Sequence, residues 1–327
     1  MAVVGPTASG KSSLAIALAL RWNGEIVNCD SVQFYRGFDI GTGKVPPQER
    51  RGVPHHLLDI ADPEQVFTAG DFRQEAIRVL AGIRERQRLP VIVGGTGLYL
   101  RALLLGLFAG PQRSEALRAR LRALAERRSR EFLHRMLVRF DPKAAARIHP
   151  RDTPKIIRAL EVCLLARQPI STLHERGREG LQGFRVLKVG LSPARASLAL
   201  RINWRVEQMF AAGLLDEVRD MLSGSGADRI KPLGALGYRQ AREVLAGTKT
   251  LGEAIREIQT ATRRYAKRQM TWFRRETDIA WFAGFGDDPV IQQSVSTWLA
   301  KRLGERPEGL QSTDEGPPAP EVGDGDR

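Results

Sequence analysis

Residues 5–12, Gly-Pro-Thr-Ala-Ser-Gly-Lys-Ser, carry the spacing of a glycine at each end of a six-residue turn followed by lysine and a hydroxyl. In such a turn the backbone N–H groups curl around an anion, while the lysine and the hydroxyl reach a terminal phosphate and a magnesium ion. Gly5, Pro6, Thr7, Ala8, Ser9, Gly10, Lys11 and Ser12 therefore form a candidate diphosphate or triphosphate cradle, with Ser12 as the Mg2+ ligand. The flanks agree with this assignment. Met-Ala-Val-Val upstream is a short apolar strand, and the alanine- and leucine-rich run downstream has no breaker before Asn23-Gly24, so the turn sits at a helix N-terminus.

Two further acid and hydroxyl positions come with the loop. The strand Glu-Ile-Val-Asn-Cys-Asp delivers Asp30, followed by Ser31, Val32 and Gln33. Asp30 is either a turn cap, the common fate of an Asp-Ser pair, or a carboxylate at the edge of a parallel sheet where ligands of open α/β folds bind. Thr96, between Gly95 and Gly97, has the same two readings. The apolar run Pro-Val-Ile-Val ends in glycines, so the acid that closes a second strand in NTP-hydrolysing relatives of this loop is missing there. A second Gly-Lys pair, at 43–44, is not a phosphate loop, because Phe38 occupies the position of its first glycine and Val45-Pro46-Pro47 starts no clean helix. His55-His56 has no third ligand spaced to join it, which favours a structural role over a metal site.

Positioning such groups requires a core, and 327 residues with 42% hydrophobic side chains are ample for one. Short apolar runs alternate with helical patterns over the first hundred residues, which implies a parallel sheet with crossovers. From Ser114 to about residue 167 the pattern is helical and basic, and Phe-Arg-Val-Leu-Lys-Val-Gly-Leu-Ser at 184–192 returns to the sheet. The expected fold is α/β: a P-loop core with a parallel sheet flanked by helices, at 1–107 and 186–305, plus a mainly helical insertion at 108–185. A long helical stretch at 196–223 breaks at Gly213, and the Gly-, Pro- and acid-rich segment 306–327 is expected to be disordered.

Net charge is +14, and the insertion alone holds 18 Lys+Arg against 8 Asp+Glu, a local +10. That is the footprint of a phosphate-backbone partner, although a solvated arginine-rich helix surface has the same composition. No stretch is long and apolar enough to span a membrane, no signal peptide is evident, and Cys29 and Cys163 fit neither a disulfide framework nor a zinc site. The expected location is the cytoplasm.

Several motifs together are more specific than the loop alone. Asp-Ser-Val-Gln-Phe-Tyr-Arg-Gly-Phe-Asp-Ile-Gly-Thr-Gly-Lys at 30–44, Asp-Phe-Arg-Gln-Glu-Ala-Ile at 71–77, Val-Gly-Gly-Thr-Gly-Leu-Tyr-Leu-Arg-Ala-Leu at 93–103, Arg-Ala-Leu-Glu-Val at 158–162, Leu-Gly-Tyr-Arg-Gln at 236–240 and Ala-Lys-Arg-Gln-Met-Thr-Trp-Phe-Arg at 266–274 occur in order over roughly residues 3–283. In these the chain resembles the bacterial tRNA dimethylallyltransferases, also called tRNA isopentenyltransferases. The resemblance implies transfer of a dimethylallyl group from dimethylallyl diphosphate to N6 of the adenine 3′ to the tRNA anticodon, with Mg2+ and without NTP hydrolysis. It implies Asp30 as general base, Ser12 in place of a more usual threonine, and Arg205, with Arg201 one turn away, steadying the diphosphate. It also implies contacts to the tRNA anticodon stem-loop from Asp30, Ser31, Val32 and Gln33 and from Pro154, Lys155, Ile156, Ile157 and Arg158, and to tRNA or the diphosphate from Thr96 and Arg118. A monomer is expected. The competing reading is an ATP-dependent kinase of nucleosides or nucleic acids, which would use the same loop for ATP binding; a non-catalytic RNA-binding ATPase is the third.

Overall fold

The computed structural model describes residues 1–128, 130–224 and 230–304. Six strands, β1 (Ala2–Val4), β2 (Gly24–Asn28), β3 (His55–His56), β4 (Leu89–Val93), β5 (Lys188–Leu191) and β6 (Ile279–Phe282), form one sheet in the order β3-β2-β4-β1-β5-β6. Every pairing is parallel, with Val3 opposite Val93 on one side and Val189 on the other. The strand of the candidate loop therefore lies inside the sheet, with its C-terminal end between those of β4 and β5.

Side chains alternate across this sheet, as a two-residue period requires. Val3, Ile26, Val91 and Val93 pack with α1 (Lys11–Arg21) and α13 (Pro289–Leu303), whereas Ala2, Val4, Val27 and Ile92 pack with α2 (Ala69–Glu85) and α3 (Gly97–Leu105). Both faces are covered, so the strands read as unbroken apolar runs and not as alternating ones. The helix α2 starts where Thr68 and Asp71 cap each other reciprocally.

The insertion builds a core of its own. Helices α4 (Glu115–Arg127), α5 (Arg130–Phe140), α6 (Pro142–Arg147), α7 (Thr153–Ala166) and α8 (Ile170–Glu175) close around Leu121, Leu133, Leu137, Leu160 and Leu173. A second helical group follows β5: α9 (Arg195–Ala211), α10 (Leu214–Ser223), α11 (Tyr238–Leu245) and α12 (Leu251–Phe273). It packs on the 32–61 segment through Phe38, Ala61, Val218 and Tyr238. The break between α9 and α10 falls at Gly213 as expected. The strand β6 and the helix α13 were not expected as separate elements, since the sequence only places 275–305 in the core. The segment expected to be disordered, 306–327, lies outside the described residues.

Candidate active site

Uncapped amide groups and an inward lysine define the first wall. The loop 5–10 leads from β1 directly into α1, whose N-cap, Gly10, offers no side chain. The first-turn N–H groups are thus left for a ligand. Lys11 folds back so that Nζ donates to the Pro6 carbonyl at 2.7 Å. Burial pushes its ammonium down to about 8, Asp30 opposes that shift, and Arg205 adds to it. Ala8 is left-handed at φ +63°, a strained conformation for a side-chain-bearing residue. The buried Ser9 hydroxyl has no hydrogen-bond partner among the described residues.

Asp30 stands two residues past the end of β2, and the structure gives it both expected roles at once. One carboxylate oxygen, Oδ1, accepts the Val32 N–H at 3.0 Å, which makes a tight turn. The carboxylate also lines two adjoining cavities of about 300 and 320 Å³. Arg205 on α9 reaches the same junction and makes no ion pair or hydrogen bond to any described residue. Burial lowers its pKa, Asp30 acts against this, and Arg201 reinforces it. An unpaired guanidinium beside an inward lysine costs solvation energy that only an anion can return.

The two cavities differ in character. One is walled by Thr7–Ser13, Asn28, Gln33, Thr42–Lys44 and Gly94, with Arg201 and Trp204 at its side. The other is walled largely by apolar side chains, among them Ile202, Val206, Met209, Leu214 and Ile258, with Tyr238 and Tyr265 supplying hydroxyls. Thr7, Ala8, Asp30, Thr42 and Arg205 belong to both. A polar, cation-bearing wall and an apolar one therefore meet at Asp30 and Arg205.

Other residues singled out from the sequence lie in different roles. Ser31 and Val32 line the apolar cavity and Gln33 the polar one. The Thr96 hydroxyl accepts the Ser31 N–H at 3.1 Å, so it fixes the turn after Asp30 and lines neither cavity. Arg201 pairs with both carboxylate oxygens of Asp287 and stacks on Phe285, which separates it from Arg205 as the engaged member of the pair. Arg118 makes a bidentate contact to buried Glu161 within the insertion, at 3.0 and 2.9 Å, so its guanidinium is already engaged. Ile156 and Ile157 are buried in the insertion core. Arg158 also pairs with Glu161, while Pro154 and Lys155 are exposed. His56 is structural, its Nε2 lying 2.6 Å from buried Glu25, and Lys44 is sequestered by Asp39 and Asp59.

Sequence reasoning assigned no role to Gln269, which ties the site together. Its Oε1 accepts the Thr7 N–H at 2.8 Å and its Nε2 donates to the Gly95 carbonyl at 3.0 Å, linking the anion loop and the end of β4 to α12. The only signal was its place in the Ala-Lys-Arg-Gln-Met stretch. Among the described residues no cluster of three or more His, Cys, Asp or Glu could hold a metal. A magnesium ion bound mainly by substrate oxygens and water needs no such cluster, and the Ser12 hydroxyl, at the cradle wall, fits that arrangement.

A parallel α/β sheet that offers an anion loop, a free arginine and a carboxylate at one junction belongs to the enzymes that act on phosphate or diphosphate substrates. The particular family follows from comparison: residues 33–276 match the family model described as IPP transferase, and the chain belongs to that family. It is 52% identical over 305 residues to the tRNA dimethylallyltransferase of Solibacter usitatus, covering 93% of this chain and 99% of that one. It is 54% identical over 290 residues to that of Koribacter versatilis, covering 88% and 94%. The crystal structure of the full-length tRNA isopentenylpyrophosphate transferase from Bacillus halodurans is similar with TM-score 0.68 at 39% identity, covering 93% of this chain and 96% of that one. A eukaryotic dimethylallyltransferase acting on tRNA superposes with TM-score 0.77 at 26% identity, covering 94% and 80%.

Proposed function

We propose that the protein is a tRNA dimethylallyltransferase, moving the dimethylallyl group of dimethylallyl diphosphate onto N6 of the adenine 3′ to the anticodon and releasing diphosphate. The observation that carries this reading is Arg205, unpaired among the described residues, at the junction of a cavity lined by the glycine loop and Lys11 and an apolar cavity, with Asp30 beside it. A prenyl donor uses both cavities, the polar one for its diphosphate and the apolar one for its dimethylallyl group.

The chemistry follows from charge. An exocyclic adenine amine is a weak nucleophile, so the allylic carbon must develop positive charge as the diphosphate departs. Lys11, the uncapped N–H groups of α1 and Arg205 stabilise the departing oxygens at the moment charge builds on them. Magnesium held at Ser12 would add to that neutralisation when bound. Asp30 keeps Oδ2 out of its turn hydrogen bond and accepts the amine proton as the new C–N bond forms. Ile202, Val206 and Met209 exclude water from the allylic carbon, which would otherwise be hydrolysed. The target base must leave the anticodon stack to reach the junction, and the basic insertion supplies phosphate contacts for the stem-loop. Incubation with tRNA and either labelled dimethylallyl diphosphate or γ-labelled ATP tests this. Label is expected in tRNA from the prenyl donor alone; label from ATP would establish the kinase reading instead.

A further inference from the structure

The segment 38–44 has no regular structure, yet it walls both cavities, and one carboxylate on α10 holds it. Glu217 Oε2 accepts the N–H groups of Asp39 at 3.1 Å and Ile40 at 2.7 Å, and Oε1 accepts that of Gly41 at 3.4 Å. The Tyr238 hydroxyl donates to the same Oε1 at 2.6 Å. Four donors on one carboxylate make a strong and directional clamp. The Tyr238 hydroxyl is driven up in pKa by burial and by this carboxylate, so it stays a proton donor. A Cβ on Gly41 would meet the Tyr238 ring at 2.5 Å, which shows how closely strap and ring are packed.

The far end of the strap touches the chemistry. Gly43 has φ +62°, and a Cβ there would lie 1.6 Å from Nη2 of Arg205, so the guanidinium rests directly on the strap backbone. Gln33 Nε2 donates to the Thr42 carbonyl at 3.2 Å from the other side. With no ion pair of its own among the described residues, Arg205 is aimed by packing, and the strap is one of its walls.

We propose that Glu217 is a positioning residue for the transfer: it clamps the 39–41 backbone and thereby sets Gly43 as the rest that directs Arg205 at the departing diphosphate, with Tyr238 locking the clamp. The inference rests on the transferase reading. Misplacing a charge-stabilising group by about 1 Å costs roughly 10²-fold in rate. Glu217→Gln, which places an N–H donor against one strap N–H, is therefore expected to lower kcat by about that factor while KM for tRNA holds and Tm falls modestly.

The test is a double-mutant cycle between Glu217→Gln and Arg205→Ala, read as kcat and as affinity for inorganic pyrophosphate. In the Arg205→Ala background Glu217→Gln is expected to cost nothing further in either quantity. An equal additional loss in both backgrounds, or a wild-type kcat when the variant is assayed well below its Tm, overturns the proposal. Tyr238→Phe removes one donor and keeps the ring, so it supplies a milder second cycle if Glu217→Gln does not fold; additivity with Arg205→Ala there overturns it equally. Failure of the transferase reading would look different, as absence of prenyl label in tRNA with wild-type protein. The pyrophosphate cycle would still decide the positioning role.

Discussion

Two clusters of charge in this molecule look alike in the sequence and opposite in space. In the insertion, Glu161 is wholly buried and receives Arg118, Arg158 and the Ser114 N–H at 2.6–3.0 Å. Burial alone would raise its carboxyl, yet those hydrogen bonds hold it below the ordinary value. At the junction of the two cavities, Lys11 and Arg205 are held without an ion-pair partner and Asp30 keeps one oxygen free. A saturated cluster fixes helices to one another; an unsaturated one waits for a substrate. The contrast teaches that pairing, and not charge density, separates scaffold from site.

The sharpest attempt to break the comparison is Asp30→Asn. The amide keeps an acceptor for the Val32 N–H, so the turn and the fold survive, but it cannot take the proton. Single-turnover kcat at saturating tRNA should fall by about 10²–10⁴. A change within about threefold would make Asp30 a turn residue like any other and return the junction to scaffold.

Arg118→Ala probes the opposite side. Removing a partner from a buried charge costs about 3–5 kcal/mol, and the low end is expected because Arg158 and the Ser114 N–H remain on Glu161. Urea denaturation should show the loss, while single-turnover kcat on saturating tRNA stays near wild type. A kcat loss without a stability loss would move Arg118 to the site.

A pH titration sharpens the junction further. The Lys11 ammonium, lowered to about 8 by burial, is lost as pH rises through that value, and the proposed mechanism uses it to hold the diphosphate. Pyrophosphate affinity should therefore weaken above pH 8, with proton uptake on binding between about 8 and the ordinary 10.5, seen by calorimetry in buffers of different ionisation enthalpy. Lys11→Met should flatten that dependence and leave tRNA affinity nearly intact. The smallest effects belong to exposed cations of the insertion. Replacing Arg120 or Arg151 by Ala should lower the salt slope of tRNA binding by about 0.7–0.9 for each phosphate that is no longer neutralised. An unchanged slope would leave the local +10 as a solvated surface.

Much of this was legible in the order of the residues. The glycine loop, its strand and its helix depend on residues close together in the chain, where local propensity and a fixed spacing suffice, and the +10 insertion announces itself as a helical block. The sheet order was not legible, because β4 and β5 flank β1 only through pairings across about a hundred residues or more of chain. Gln269 escaped for the same reason: an amide in a helix carries no sign that it will bridge residues 7 and 95.

The sequence by itself determined that residues 5–12 form a glycine loop between a strand and a helix N-terminus and that a carboxylate follows the second strand, since local spacing and residue type are enough to specify both. Tertiary structure alone decided which charges stay free. Arg201 and Arg205 sit one turn apart with the same side chain, and Asp287 of the loop before α13 reaches only the first. Arg118 and Arg158 are neutralised by Glu161, 43 and 3 residues away. Coulomb energy depends on distance in space and on the solvent left between the partners, and neither quantity is written in the linear chain.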